Sequence, residues 1–227
     1  QLTRLLNPRS VADAMAAYYA LDHPETQTEL YGYFASRDIP TGFVAIAQTG
    51  MDLFRPLVIP FTSQETALQS LIKAALKPQR PVLLYLPMDQ QSWAEAVVRL
   101  SEIRILDLYR LDPASFKSII KAIPEETATP RGQPRYEIHS QTGVRAAAGI
   151  NWRGEYFAEV YVDVIPETDL SGFGGSVLAA IVERLLSERK IALYQMEESI
   201  IHIGMELKQI GFHPTGIRTI LAQAIID

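Results

Sequence analysis

Between residues 10 and 21 the apolar side chains Val11, Met15, Tyr18 and Tyr19 recur at the spacing of one helix face, just after the helix-start pair Asn7 and Pro8. That spacing predicts a helix. Residues 22–40 are mixed and polar and read as further helix and loop. Residues 43–48 and 53–61 are β-prone runs joined by a turn at Thr49 and Gly50, and together predict an antiparallel hairpin. Helical spacing returns at 63–76, where Leu68, Leu71, Ile72 and Ala75 share a face. A short apolar run at 81–87 reads as a strand, 90–100 as an amphipathic helix, 103–111 as a strand and 113–123 as a connecting helix.

Residues 124–134, rich in Pro, Thr and charge, read as a linker, after which the order begins again. A second hairpin (144–152 and 155–165) turns at Arg153 and Gly154, and is followed by a helix (174–190), a strand (191–196), a helix (199–210) and a last strand (217–226). A short string recurs too: Val58, Ile59 and Pro60 end the long strand of one half, and Val164, Ile165 and Pro166 end that of the other. A repeat of fold size predicts agreement in element order. The expectation is therefore an α/β (α+β) chain of two lobes, 1–123 and 135–227, each a mixed, mainly antiparallel sheet flanked by helices. A length of 227 residues fits, being long for one domain and short for two.

The halves differ in glycine. None occurs from residue 51 to 131, whereas the strand-to-helix turn of the second half carries Gly172, Gly174 and Gly175 beside Ser171, Phe173 and Ser176. Lacking a Cβ, such a turn lets backbone N–H groups converge on an anion at a helix N-terminus, where the helix dipole adds to the attraction. The plainer reading is a tight loop needing unusual backbone angles. Serine in such a turn also commonly caps the helix locally.

A strand ending in Val-x-Pro, then GxG six and eight residues past the proline, then an amphipathic helix, resembles the pyrophosphate-binding motif of GNAT N-acyltransferases, with Pro166, Gly172 and Gly174 in register. Leu193 to Met196, Ser199, and the pair Gly211 and Phe212 take the places of the family's next strand, helix start and helix-closing Gly-Phe. The motif likeness covers about the last third of the chain. Element order extends it to the first half, as in tandem-lobed members with one degenerate copy. The chain departs from the pattern in three places. Asp169 stands where the family has Gln or Arg, and suits capping better than a phosphate contact. The helix after Ser199 lacks the family's Asn, and Leu207 stands where the family often has a proton-donating tyrosine.

The resemblance implies direct transfer from acetyl-CoA, or another acyl-CoA, as co-substrate to the amine of a small molecule or peptide. It implies a cofactor site at Val164, Ile165, Ser171, Gly172, Phe173, Gly174, Gly175, Ser176 and Ser199. Placement and proton removal carry such chemistry. Glu159, on the long strand of the second half, is the candidate base, although strand alternation also allows it to face solvent. Glu197 and Glu198 are alternatives. Tyr194 is the candidate donor to the departing sulfur, with Tyr161 beside it, and strand aromatics also serve packing. The competing readings are a degenerate, noncatalytic GNAT-like binding protein and a Rossmann-type nucleotide domain. The paired strands before each helix argue against the latter.

Composition narrows the partners. A net charge of −5 without a Lys/Arg run leaves no cationic footprint for nucleic acid or an anionic membrane. Without cysteine there is no disulfide framework or thiolate nucleophile. His23, His139, His202 and His213 lack metal-ligand spacing, so no metal is expected. No apolar run reaches the ~20 residues that span a bilayer, and no signal-peptide layout is present, so the expected setting is the cytoplasm. Trp93 and Trp152 read as core or rim. The acceptor falls to variable segments at 22–41 and near Pro130, and oligomeric state is not encoded in any pattern here.

Overall fold

Apolar alternation in the N-terminal half is satisfied by a sheet packed on α2 (Glu65–Ala75), whose buried Ala67, Leu68, Leu71 and Ile72 form the predicted helix face. The computed structural model describes residues 2–36, 39–50, 52–130, 132–141, 143–165, 170–197 and 203–226. After α1 (Ala14–Ala17) come β1 (Thr28–Ser36), β2 (Ile39–Ala47), β3 (Leu57–Thr62), β4 (Val82–Pro87) and α3 (Gln91–Glu95). The hairpin expected at 43–61 is present, β2 and β3 pairing antiparallel from Gly42↔Thr62 to Ala47↔Leu57. Val44, Val58, Leu68, Leu71, Ile72, Leu84 and Leu86 form the core of this unit.

Residues 22–27 keep the expected helix and loop, with a 3-10 turn at Glu25–Gln27, but residues 28–36 form β1, which pairs antiparallel with β2 across most of its length. Leu30 and Tyr31 are adjacent yet both about two-fifths exposed, 43% and 42%. An outer strand open on both sides has no buried face to write an alternation into the sequence. The helix at 90–100 is shorter than its pattern, since β5 (Arg99–Leu111) takes over its last residues.

Farther along come β6 (Glu125–Ala128), β7 (Pro134–Ser140), β8 (Gly143–Arg153), β9 (Phe157–Val164), α4 (Gly175–Ser187), β10 (Ile191–Glu197), α5 (Ile203–Ile210) and β11 (Phe212–Ile225). Strands β6 to β9 form successive antiparallel pairs. The 124–134 segment is thus largely strand and turn rather than linker: Glu125 and Glu126 sit on β6, and Glu126 pairs with Arg184 of α4 at 2.9 Å. Residues 113–123 form no helix. Their backbone finds partners elsewhere, Lys117 N–H donating to Ile210 O at 3.0 Å and Lys121 N–H to Ser176 Oγ at 2.9 Å, which removes the need for internal helical bonds.

Two compact units result, Gln1–Leu106 with Ile217–Asp227, and Asp107–Gly216. The boundaries fall within β5 and β11 instead of at 124–134. The end of the chain completes the first unit: Thr219 to Ala224 pair antiparallel with Pro87 to Val82 of β4. Arg55 reinforces this, its Nε on Asp52 at 2.7 Å and its Nη1 on Gln223 at 2.6 Å.

Among the described residues, β3–β4 in the first unit and β9–β10 in the second are parallel pairs, and each is short. In the first, β3 meets β4 only at Leu57↔Leu83 and Val58↔Leu84. Beyond it, the Gln90 side chain donates to the carbonyl of Thr62 at the end of β3, at 2.9 Å. In the second, β9 meets β10 at Phe157↔Ile191, Ala158↔Ala192 and Glu159↔Leu193. Counted from the last paired residue, Val58 is at zero and Val164 five positions beyond Glu159 (164 − 159), so the recurring Val-Ile-Pro string does not occupy equivalent places.

Gly211 ends α5 with φ +113, and a Cβ there would lie 2.8 Å from the backbone oxygen of Ser115. Gly211→Ala combines disfavoured dihedrals with contact against main chain that has little freedom to move. Urea unfolding of that variant is expected to show a stability loss of about 2 kcal/mol or more.

Candidate functional site

Alternation in the second unit sorts its side chains onto two faces. Ala146, Ala148, Ile150, Ala158, Val160, Ala192, Tyr194 and Met196 join Val177, Leu178, Ile181 and Leu185 of α4 in one core, so even-numbered positions of β9 and β10 face α4. Glu159, Tyr161 and Asp163 face the other way.

Glu159 is buried, at 7% exposure, instead of facing solvent as strand alternation also allowed. A β-bulge makes this tolerable. The β8–β9 register shifts between Ile150 and Trp152, so Asn151 and Trp152 both lie near Glu159. Asn151 Nδ2–H donates to Oε1 at 2.9 Å, and the Trp152 indole N–H donates to Oε2. Burial pushes the Glu159 carboxyl above the ordinary carboxylate range, and the two donated hydrogen bonds pull against that shift by stabilising the charged form. Glu159 is also the last residue of β9 paired with β10. Val160–Val164 and Tyr194–Glu197 continue without pairing to each other, so the buried carboxylate stands where the strands part.

The glycine turn follows. Residues 166–169, including Pro166 and Asp169, lie outside the described residues, and Leu170–Gly174 forms a wide π-helical turn running into α4. Gly174 has ordinary helical angles, φ −59 and ψ −44, and Gly172 has no positive φ, so the backbone there does not require glycine. What glycine leaves is room: a Cβ on Gly172 would meet nothing within 4 Å.

Ser176 is fully buried, and its hydroxyl donates to Gly172 O at 2.9 Å while accepting from Lys121 N at 2.9 Å and Ala122 N at 3.3 Å. A phosphate contact from this hydroxyl would break bonds that tie residues 121–122 to the turn. Phe173 and Val164 pack against the α4-side core. The side chain of Ser171 and all of Glu198, Ser199 and His202 lie outside the described residues.

Tyr194 is the first residue of β10 past the last paired position, with its ring in the α4-side core, edge-on to Phe212 at 6.5 Å. Burial, with the nearby charges of Asp163 and Glu159 as smaller causes, pushes its hydroxyl up to about 12. Leu207 is fully buried. Glu197 ends β10, half-buried, on the Glu159 face by alternation.

Tyr161 lies on that face as well, its hydroxyl accepting from Arg135 Nη1 at 2.9 Å. Beside it a hollow of about 280 Å³ is lined by Arg135, Arg145, Ala147, Asp163, Val164 and Ile165. Sequence reasoning did not single out Arg135 or Asn151, and took Trp152 as core or rim; it is buried, with its indole N–H on Glu159. Ile150-Asn151-Trp152 keeps the apolar-polar-apolar alternation of an ordinary strand, so no local signal marks the bulge that brings Asn151 and Trp152 to Glu159.

Among the described residues no group of His, Asp and Glu is arranged to hold a metal ion, and no helix is long and apolar enough to cross a membrane.

No protein-family model matches the chain, and no curated protein does. Solved structures do. A GCN5-related N-acetyltransferase from Kribbella flavida superposes with a TM-score of 0.66 over 94% of this chain and 96% of its own, at 11% identity. A Drosophila protein gives 0.66 over 86% and 78%, at 14% identity. A tandem GNAT protein from the clavulanic acid biosynthesis pathway gives 0.57 over 96% and 88%, at 14% identity. At such identities the likeness is one of fold, and the chain matches, distantly and broadly, the fold of the GNAT acetyltransferase superfamily.

Proposed function

We propose that the chain is an acyl-CoA-dependent N-acyltransferase, acetyl-CoA being the first donor to consider, with its site in the second unit. The observation that carries this reading is the parting of β9 and β10 at the buried Glu159, close in sequence to a helix start where Gly172 leaves open space. Two groups of main-chain atoms support the donor's placement: those of β9 from Val160 to Val164 on the edge that β10 leaves, Ile165 N–H being taken by Arg145 O at 3.1 Å, and the N–H groups of the turn from Gly172 to Gly175 at the head of α4. The contribution of acyl-CoA, when bound, is an activated acyl group.

The chain's own part is to orient the amine and accept its proton. Glu159 is the proposed base. A carboxylate raised by burial lies nearer neutrality, where a base holds its proton most usefully, and the two hydrogen bonds fix both of its oxygens. Tyr194, held protonated at neutral pH, is the proposed donor to the departing sulfur. In the first unit the equivalent parting of β3 and β4 is bridged by Gln90, and no glycine follows, which supports reading that unit as a lobe without a donor site. A noncatalytic GNAT-like binding protein is the second reading, and it draws on Tyr194 being packed at 8% exposure on the face away from Glu159.

Isothermal titration with acetyl-CoA and CoA tests the first step. Saturable binding is expected, and Gly172→Leu should weaken it roughly tenfold or more with an unchanged melting temperature, because the new side chain enters open space and not the core. No binding by the natural chain, or equal binding by the variant, refutes the placement of the site. Binding without acyl transfer to any amine favours the second reading.

The pH profile tests the base. A raised Glu159 should give an ascending limb above the ordinary carboxylate range, since only the ionised form accepts a proton. Trp152→Phe removes a bond that stabilises the charge, so the limb should move to still higher pH. A limb that stays put, or moves down, excludes Glu159 as the group being titrated.

A further inference from the structure

We propose that the outer edge of β1 pairs antiparallel with β1 of a second copy of this chain, about a two-fold axis at Tyr31. Every residue involved belongs to the first unit, so the inference does not rest on the acyl-transfer reading.

The main chain sets the chemistry of the partner. Among the described residues β1 pairs with β2 alone, and a strand open on one side presents a row of N–H and C=O groups that another extended chain satisfies. From Thr28 to Tyr33 the β1–β2 register is unbroken. At the first irregularity Tyr33 pairs with Gly42 and Phe34 with Pro40, so the extra residue is Thr41 on β2. Residues 28–34 of β1 therefore run on without an insertion, with Tyr31 at their midpoint.

Side chains make this edge fit itself. A two-fold axis at Tyr31 sets Tyr31 against Tyr31 of the second copy, Leu30 against Gly32, Glu29 against Tyr33 and Thr28 against Phe34. A Cβ on Gly32 would lie 2.7 Å from Phe34 Cε2, so the Phe34 ring already covers that position, and the arriving Leu30 meets an aromatic surface. Leu30, Tyr31 and Phe34 are all exposed, and the pairing takes apolar surface on both faces of the strand out of water.

Charge favours a second copy over a charged strand. Glu29 is the one charged residue of β1, and its Oε2 accepts from the Tyr31 hydroxyl at 2.9 Å. In the two-fold register the two Glu29 residues stand four rows apart, about 13 Å along the strands and beyond the ~8 Å screening length at physiological salt. The outer strand of the second unit is the contrast. There β6 has four residues, and its exposed Glu125 and Glu126 guard the edge against pairing. At nine residues, β1 has no such guard. Two-fold pairing closes on itself and leaves no edge for a third copy. One strand from each copy is small beside the ~1,600 Å² of a standard interface, so the expected form is a reversible, concentration-dependent dimer.

Sedimentation velocity of the natural chain over a roughly hundredfold range of concentration, with hydrogen exchange at both ends of the range, is the test. A monomer–dimer equilibrium is expected, with slower exchange at the amides of residues 28–34 in the dimer. Tyr31→Lys and Tyr31→Glu each place like charges opposite one another, and each should weaken the dimer roughly tenfold or more. Their equimolar mixture should restore it, because opposite charges then meet. Tyr31 is exposed, so both variants should keep the natural melting temperature, and Glu125→Lys on β6 should leave association unchanged. Should a Tyr31 variant fail to fold, the exchange comparison on the natural chain decides alone. A monomer at every concentration, assemblies larger than a dimer, a dimer without protection at 28–34, folded variants that associate as tightly as the natural chain, or a mixture no tighter than either variant overturns the proposal.

Discussion

The shortness of one parallel strand pairing governs the second unit. Beyond Glu159 and Leu193, β9 and β10 have main-chain groups without each other as partners, and backbone N–H and C=O groups in such a position require something else to bond. The first unit meets the same requirement with a side chain, Gln90, whose amide N–H reaches the carbonyl of Thr62. The units thus differ at this point: in the first a side chain bridges the parted strands, and in the second β9 and β10 go on without pairing to each other.

The buried carboxylate depends on the same geometry. A carboxylate at 7% exposure is costly unless both oxygens are satisfied. The bulge at Asn151 supplies two donors from one strand to one residue of the next, which regular pairing could not do. Glu159 is therefore better understood as a group kept in tension between desolvation and hydrogen bonding than as an isolated acid.

Elements with one buried face were legible in the sequence. The helix at 63–76, the strand at 81–87 and the hairpins at 43–61 and 144–165 all carried clear periodicity, and all are present. Elements open on both sides were not: β1 lacks alternation because Leu30 and Tyr31 are both exposed, and β6 looked like a linker because its glutamates face solvent. Residues 113–123 misled for another reason, their backbone being satisfied by distant groups that no local window contains. In the site, the glycine cluster drew notice for its torsional freedom, yet the structure gives it helical angles at Gly174 and empty space at Gly172. The Trp152 and Asn151 contacts could not be read, because a bulge changes which side chains meet without changing composition.

The return of β11 to the first unit has a bearing on biosynthesis. Leu86 pairs with Ile220, so a ribosome must deliver the whole of Asp107–Gly216 before β4 can acquire its last neighbour. The later-made unit can thus mature first, and in doing so it shortens the effective span of chain that must be closed, lowering the entropic barrier to joining Leu86 with Ile220. Until then the nascent N-terminal sheet leaves one edge of an apolar strand, β4, without its neighbour.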